Sequence, residues 1–280
     1  MEILGLPEGF QTQQQRQRAA DQSLQDVFSQ VLAESGHAGY RTSQPVDPDV
    51  ATDQQVQTAW DDWFSVTMQG SYRTLESPQD LKQKYGEVLN QAYREGAYLD
   101  PKSFLARLSS DDLQVVQDIQ RLGDPIDVQG LSDEGALNLL IPRAAQVDLN
   151  GDGLTQSGKG YGIRFPDSRT PQPVADAWYE TTDGMSWGEQ AHYQLQMKMP
   201  LLTANFVFDE SGAYSHHYEP GDPEFRNPME EDGFSYFGIT EDMLGYLDAF
   251  KNQIDPEQYQ RDTTFWSKLQ ANLAENGVTA

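Results

Sequence analysis

Apolar residues recur along this chain mostly at helical spacing. Leu24, Val27, Phe28, Val31 and Leu32 fall at i, i+3, i+4, i+7 and i+8, one stripe along a helix that Gly36 ends. The segment before it, 11–22, is polar and Gln-rich, so residues 1–22 read as a flexible leader or a frayed helix start. Residues 37–52 carry Gly, Ser and two prolines and read as a loop. Val56, Trp60, Trp63 and Phe64 predict a second helix from about Asp53 to Met68. The clearest helix spans 78–95: Ser77 can cap it, Pro78 suits its first turn, and Leu81, Tyr85, Val88, Leu89, Ala92 and Tyr93 form its stripe. Asp100-Pro101 opens a helix through Phe104, Leu105 and Leu108. Ser109 or Ser110 caps the next, with Val115, Val116, Ile119 and Leu122.

Gly123-Asp124-Pro125 breaks the pattern and marks the expected boundary between a helical half, 23–123, and a second half, 124–280. Ser132 to Leu140 reads as a short helix stopped by Pro142, and 148–173 as a glycine-rich loop. Pro173 to Tyr179 predicts a helix. Ser186-Trp187-Gly188-Glu189 is a capping box opening another that runs to about Met199. Around Asp209-Glu210-Ser211-Gly212 the period changes to an alternation of aromatic and polar residues, which predicts a β-hairpin over 204–218. Residues 219–238 read as a long aromatic-bearing loop. Helices capped by Thr240 and Asp255 complete the chain. The fold class is therefore mainly α, helical and two-lobed, with one small β-hairpin.

Composition narrows the function. Among 280 residues, 44 Asp and Glu face 19 Lys and Arg, a net charge of −25. So few scattered cations argue against nucleic acid and against docking on anionic membranes, both of which need a basic face. A protein is the expected partner. There is no cysteine, which removes disulfides, thiolate chemistry and Cys-ligated metals. The N-terminus lacks a basic, then apolar, signal pattern, and no run of eighteen apolar residues occurs. A cytoplasmic location is expected, with export lacking a cleaved signal as the alternative.

One segment carries recognisable chemistry. Asp148-Leu149-Asn150-Gly151-Asp152-Gly153-Leu154 places side-chain oxygens at positions 1, 3 and 5 and glycine at 6. Alternation aims the three side chains at one centre and the glycine takes the bend, as hard Ca²⁺ requires. The segment resembles the first half of the EF-hand calcium loop, DxNxDG. The resemblance implies Ca²⁺ with Asp148, Asn150 and Asp152 as side-chain ligands and Leu154 as a carbonyl ligand. It covers residues 148–159 only. Position 8 is Thr155, and position 12, where a bidentate Glu belongs, is Lys159, a cation that repels the ion. Three outcomes follow: weak binding completed by a carboxylate such as Asp167, a loop that kept its turn and lost its ion, or an Asx-rich turn with no metal history.

Other candidates are weaker. His216 and His217 are neighbours on a predicted strand and point to opposite faces. His192 follows Glu189 by three residues, a spacing that a local helix pair explains. No G-x-S-x-G occurs, and Gly158-Lys159-Gly160-Tyr161-Gly162 lacks the phosphate-loop spacing. Trp60, Trp63 and Phe64, and the loop aromatics Phe225, Phe234, Tyr236 and Phe237, form either core or a partner-binding face. The leading expectation is a non-enzymatic, calcium-associated binding or structural module. The alternatives are a metal-independent interaction protein with a vestigial loop, or a hydrolase assembled around His192, His216 or His217.

Overall fold

The computed structural model describes residues 11–68, 72 and 77–279. Among these it is mainly helical, as the spacing predicts, with two small antiparallel hairpins instead of one. The chain divides into two compact units. The first comprises residues up to Val147 together with 156–160, and the second 148–155 together with 161–280. The division thus falls at the Asp148 loop rather than at Gly123-Asp124-Pro125, which is a bend inside the first unit.

The first unit contains α1 (Gln13–Glu34), α2 (Thr52–Thr67), α3 (Pro78–Arg94), α4 (Pro101–Leu105), α5 (Ser110–Gln120) and α6 (Asp133–Leu139). Residues 13–22 of the expected leader are helical. Thr12 accepts a hydrogen bond from Gln15 N while the Gln15 side chain accepts one from Thr12 N, so a capping box starts α1 a full three turns before its apolar stripe. The rest of the leader, 1–10, lies outside the described residues. α1 packs on α2, α2 on α3, and α3 on α5. The stripe Trp60, Trp63 and Phe64 is core. Trp60 is fully buried, with ring centroids 5.0 Å from Tyr85, 5.1 Å from Phe64 and 5.7 Å from Trp63. Burying each such ring stabilises the fold by about 1.5–3 kcal/mol.

The polar tips of these rings all find acceptors: Trp60 Nε1 donates to Lys82 O, Trp63 Nε1 to Asp21 Oδ1, Tyr85 Oη to Leu139 O and Tyr72 Oη to Ile119 O. Helix α6 stops before Pro142, which leaves its last carbonyls without intrahelical partners. Buried amides take over. Gln120 Nε2 donates to Ile141 O at 2.9 Å and Gln146 Nε2 to Asn138 O at 2.8 Å. Asn138 Nδ2 bonds Val147 O and Gln156 O at 2.7 Å each.

The second unit contains α7 (Gln172–Thr182), α8 (Trp187–Met197), α9 (Met199–Ala204), β3 (Phe206–Phe208), β4 (Tyr214–His217), α10 (Tyr236–Phe250) and α11 (Pro256–Glu275). The capping box of Ser186 and Glu189 opens α8 as predicted. Pro200 sits in the first turn of α9, so the helix expected to reach Met199 is two helices meeting at Lys198. α11 packs against α7 and α10. Tyr193 stacks on Phe265 at 3.5 Å, and Trp178 meets Phe165 edge-on at 5.0 Å. Phe225 and Phe234 in the loop, and Tyr236 and Phe237 in the first turn of α10, which Ser235 caps in place of Thr240, are half-buried against this core and form a cover, not an open groove. The second hairpin, β1 (Thr155–Ser157) with β2 (Gly160–Gly162), lies inside the stretch read as loop.

Candidate functional site

The Asp148 loop folds on itself. Asp148 is buried; its Oδ1 accepts from Gly151 N at 2.7 Å and its Oδ2 from Gly153 N at 2.9 Å. Asn150 Oδ1 accepts from Asp152 N, Asp152 Oδ1 from Leu154 N, and Asn150 Nδ2 donates to Asp152 Oδ2. These are Asx turns in series, the short-range bonding that makes Asp and Asn turn formers. Gly153 has φ +86°, a backbone conformation that favours glycine, and a Cβ there would lie 2.8 Å from Leu201 Cδ2. Leu154 buries its side chain in the second core.

Residues distant in sequence close the loop. Lys198 is 1% exposed, and its Nζ donates to Gly153 O at 3.0 Å and to Asp167 Oδ2 at 2.5 Å. Asp167 Oδ1 accepts from Thr170 Oγ1 at 2.8 Å and from Arg169 N at 3.0 Å. Asn227 Nδ2 donates to Gly151 O, and Ser168 Oγ accepts from Asp148 N. Arg169 lies over Gly151, pairs with Glu230 at 3.0 Å, and keeps a buried Nε without a hydrogen-bond partner. Burial, and then the negative charge of Asp152, push the Asp148 carboxyl up to about 6. The Gly153 and Gly151 N–H groups and Arg169 oppose that rise.

Asp148, Asn150, Asp152 and Leu154 therefore do come together, with Asp167 nearby through Lys198. Lys159, at the twelfth loop position, turns instead to Asp127 in the first unit, 2.9 Å away. The oxygens that would face an ion hold the loop's own N–H groups, and the carboxylate able to complete a shell holds an ammonium. The orphaned polar atom at the site is a donor, which a cation cannot satisfy. Among the described residues no group of three or more His, Asp or Glu is placed to hold a metal ion. The side chains present do not by themselves make a calcium shell.

Lys198, Arg169 and Asn227 escape a sequence reading. The signal available for Lys198 is a lone cation inside the apolar run Met197 to Leu202. The histidines separate as predicted. Phe206 pairs with His217 and Val207 with His216, so the two imidazoles face opposite sides of the hairpin. His192 meets Gln196, while Glu189 serves the Ser186 cap. His217 does join Tyr214 Oη at 2.7 Å and Glu219 at 2.6 Å, but on exposed residues. Three open cavities, of about 490, 710 and 330 Å³, have no histidine in their walls. Among the described residues no helix is long and apolar enough to cross a membrane. Compared with known protein families, curated proteins and solved structures, the chain matches none.

Proposed function

We propose that this chain is a non-catalytic interaction module in which the second unit recognises a protein partner and the 148–154 loop is closed by Lys198 in place of an ion. The observation that carries this reading is where large apolar side chains meet water. Of eleven exposed ones among the described residues, Leu99 belongs to the first unit and the other ten to the second, from Tyr161 to Phe250. Scattered exposed apolar residues are ordinary, but so one-sided a distribution supports a partner surface on the second unit. Trp187 is the extreme at 85% exposed. With no cysteine to oxidise, the module suits the cytoplasm, the compartment proposed for it.

The test is cross-linking of the full chain in its source cells. It is compared with variants carrying Trp187→Ser, Phe208→Ser or Phe250→Ser. A cross-linked protein lost with one of these variants supports the reading; a cross-link profile unchanged by all three overturns it.

The calcium-associated module is the second reading, favoured by the charge of the cluster. Four carboxylates, Asp148, Asp152, Asp167 and Glu230, gather with two cations, Arg169 and Lys198, an excess of two negative charges for a divalent cation to offset. Calorimetric titration of Ca²⁺ into chelator-stripped protein separates the two. Saturable heat that Asp148→Ala abolishes installs the calcium reading, and silence in both proteins leaves Lys198 as the closing cation.

A further inference from the structure

The register of the β3–β4 hairpin places Phe206 opposite His217 and Phe208 opposite Tyr214. The rings form one cluster: Phe206 lies 5.8 Å from His217 and 6.0 Å from Tyr214, and Phe208 lies 6.5 Å from Tyr214. Phe206, Phe208 and Tyr214 are 46%, 59% and 54% exposed, so this apolar face covers no core. A bare two-stranded ribbon is marginal in water, yet this one is fixed at both ends. At its base Asn205 Nδ2 donates to Arg226 O, and Asn205 Oδ1 accepts from Arg226 N. At its tip Asp209 Oδ1 accepts from Ser211 N and Ala213 N, around Gly212 at φ +80°. A face held rigid before binding loses little entropy on binding.

Charge selects the occupant. Residues 206–224 contain Asp209, Glu210, Glu219, Asp222 and Glu224 and no Lys or Arg. A second copy of a chain carrying −25 would be repelled, and a phosphate backbone or anionic bilayer more so. Aromatic faces bordered by carboxylates attract cations, with a guanidinium or ammonium lying over each ring. We infer that the 206–217 hairpin docks an extended, arginine- or lysine-bearing segment of another protein, with cationic side chains over Phe206, Phe208 and Tyr214 and the acidic residues at the rim. This rests on the interaction reading above and names the chemistry of its partner.

The test is fluorescence anisotropy of the full chain with a labelled ten-residue peptide of alternating arginine and serine. The same peptide with citrulline for arginine is the neutral control. Saturable binding of the first and none of the second is expected. A Phe208→Leu/Tyr214→Leu chain, which keeps the charge and the apolar strands but loses two rings, should bind about tenfold more weakly. If circular dichroism shows that this variant has lost structure, Asp222→Asn/Glu224→Gln, outside both strands, takes its place with about threefold weaker binding expected. An Asp47→Asn/Asp49→Asn chain, altered in the first unit, should bind as the parent does. No saturable binding, or equal binding with both hairpin variants, overturns the inference. If cross-linking still finds a partner through Trp187 or Phe250, the interaction reading survives that result and the hairpin's role does not.

Discussion

Each unit of this protein buries a polar cluster, and these two clusters are made of different chemistry. In the first, Gln120 and Gln146 are neutral amides that satisfy carbonyls left open at the end of α6, and the Asn138 amide bonds Val147 O and Gln156 O. In the second, Asp148, Asp167 and Lys198 are charged groups that close a loop with no helix to finish. Neutral amides lose little on desolvation once bonded, and pH does not change them. Buried charges depend on every partner being present and on its protonation state. The first cluster should therefore tolerate conditions that the second does not.

The largest test of this contrast is Lys198→Met, which leaves the Asp167 carboxylate buried and unpaired. A cost of about 3–5 kcal/mol is expected. Hydrogen exchange should show protection lost across α7–α11 and kept across α1–α6; loss in both units alike would end the comparison. Next comes pH. An acid with a folded value above its unfolded one stabilises the fold while protonated. For Asp148 that stabilisation is complete below about pH 4 and is lost as pH rises through about 6. The shift is worth up to about 3 kcal/mol, and denaturant melts between pH 4 and 7 should show it in the parent but not in Asp148→Asn.

Gln120→Met removes the donor to Ile141 O at similar volume. It should cost about 1–3 kcal/mol, and by about the same amount at pH 4 as at pH 7. A pH-dependent cost would show that the neutral cluster is not insulated. The smallest effect belongs to the surface. Ser186→Ala removes the α8 cap and should cost about 1 kcal/mol at either pH.

Several of the helices were legible because they are punctuated locally. Ser109, Ser132, Ser186 and Asp255 all donate or accept as caps within three residues of themselves. The Asp148 turn was legible for the same reason, since its bonds span two to five residues. What closes it was not. Lys198 reaches Gly153 across 45 positions and Asn227 reaches Gly151 across 76, and no periodicity encodes such a meeting. The boundary was misplaced by a related effect. Gly123-Asp124-Pro125 bends the chain, but the Gln120 amide bonds Asn138 O and Leu139 O across that bend and ties both sides into one core.

The first unit is not a continuous stretch of chain. It recovers residues 156–160 after the chain has already supplied 148–155 to the second. Those five residues are structural: Gly158 N donates to Gly135 O, Gln156 N to Glu134 Oε1, and Gln146 Nε2 to Ser157 Oγ. On the ribosome, the first unit thus lacks these bonds when Val147 emerges. It must wait until residue 160 has cleared the exit tunnel, with the Asp148 loop already outside. Nor can an expression boundary at 147 yield the unit intact, so dissecting this protein calls for a circular permutation or an excised loop in place of a truncation.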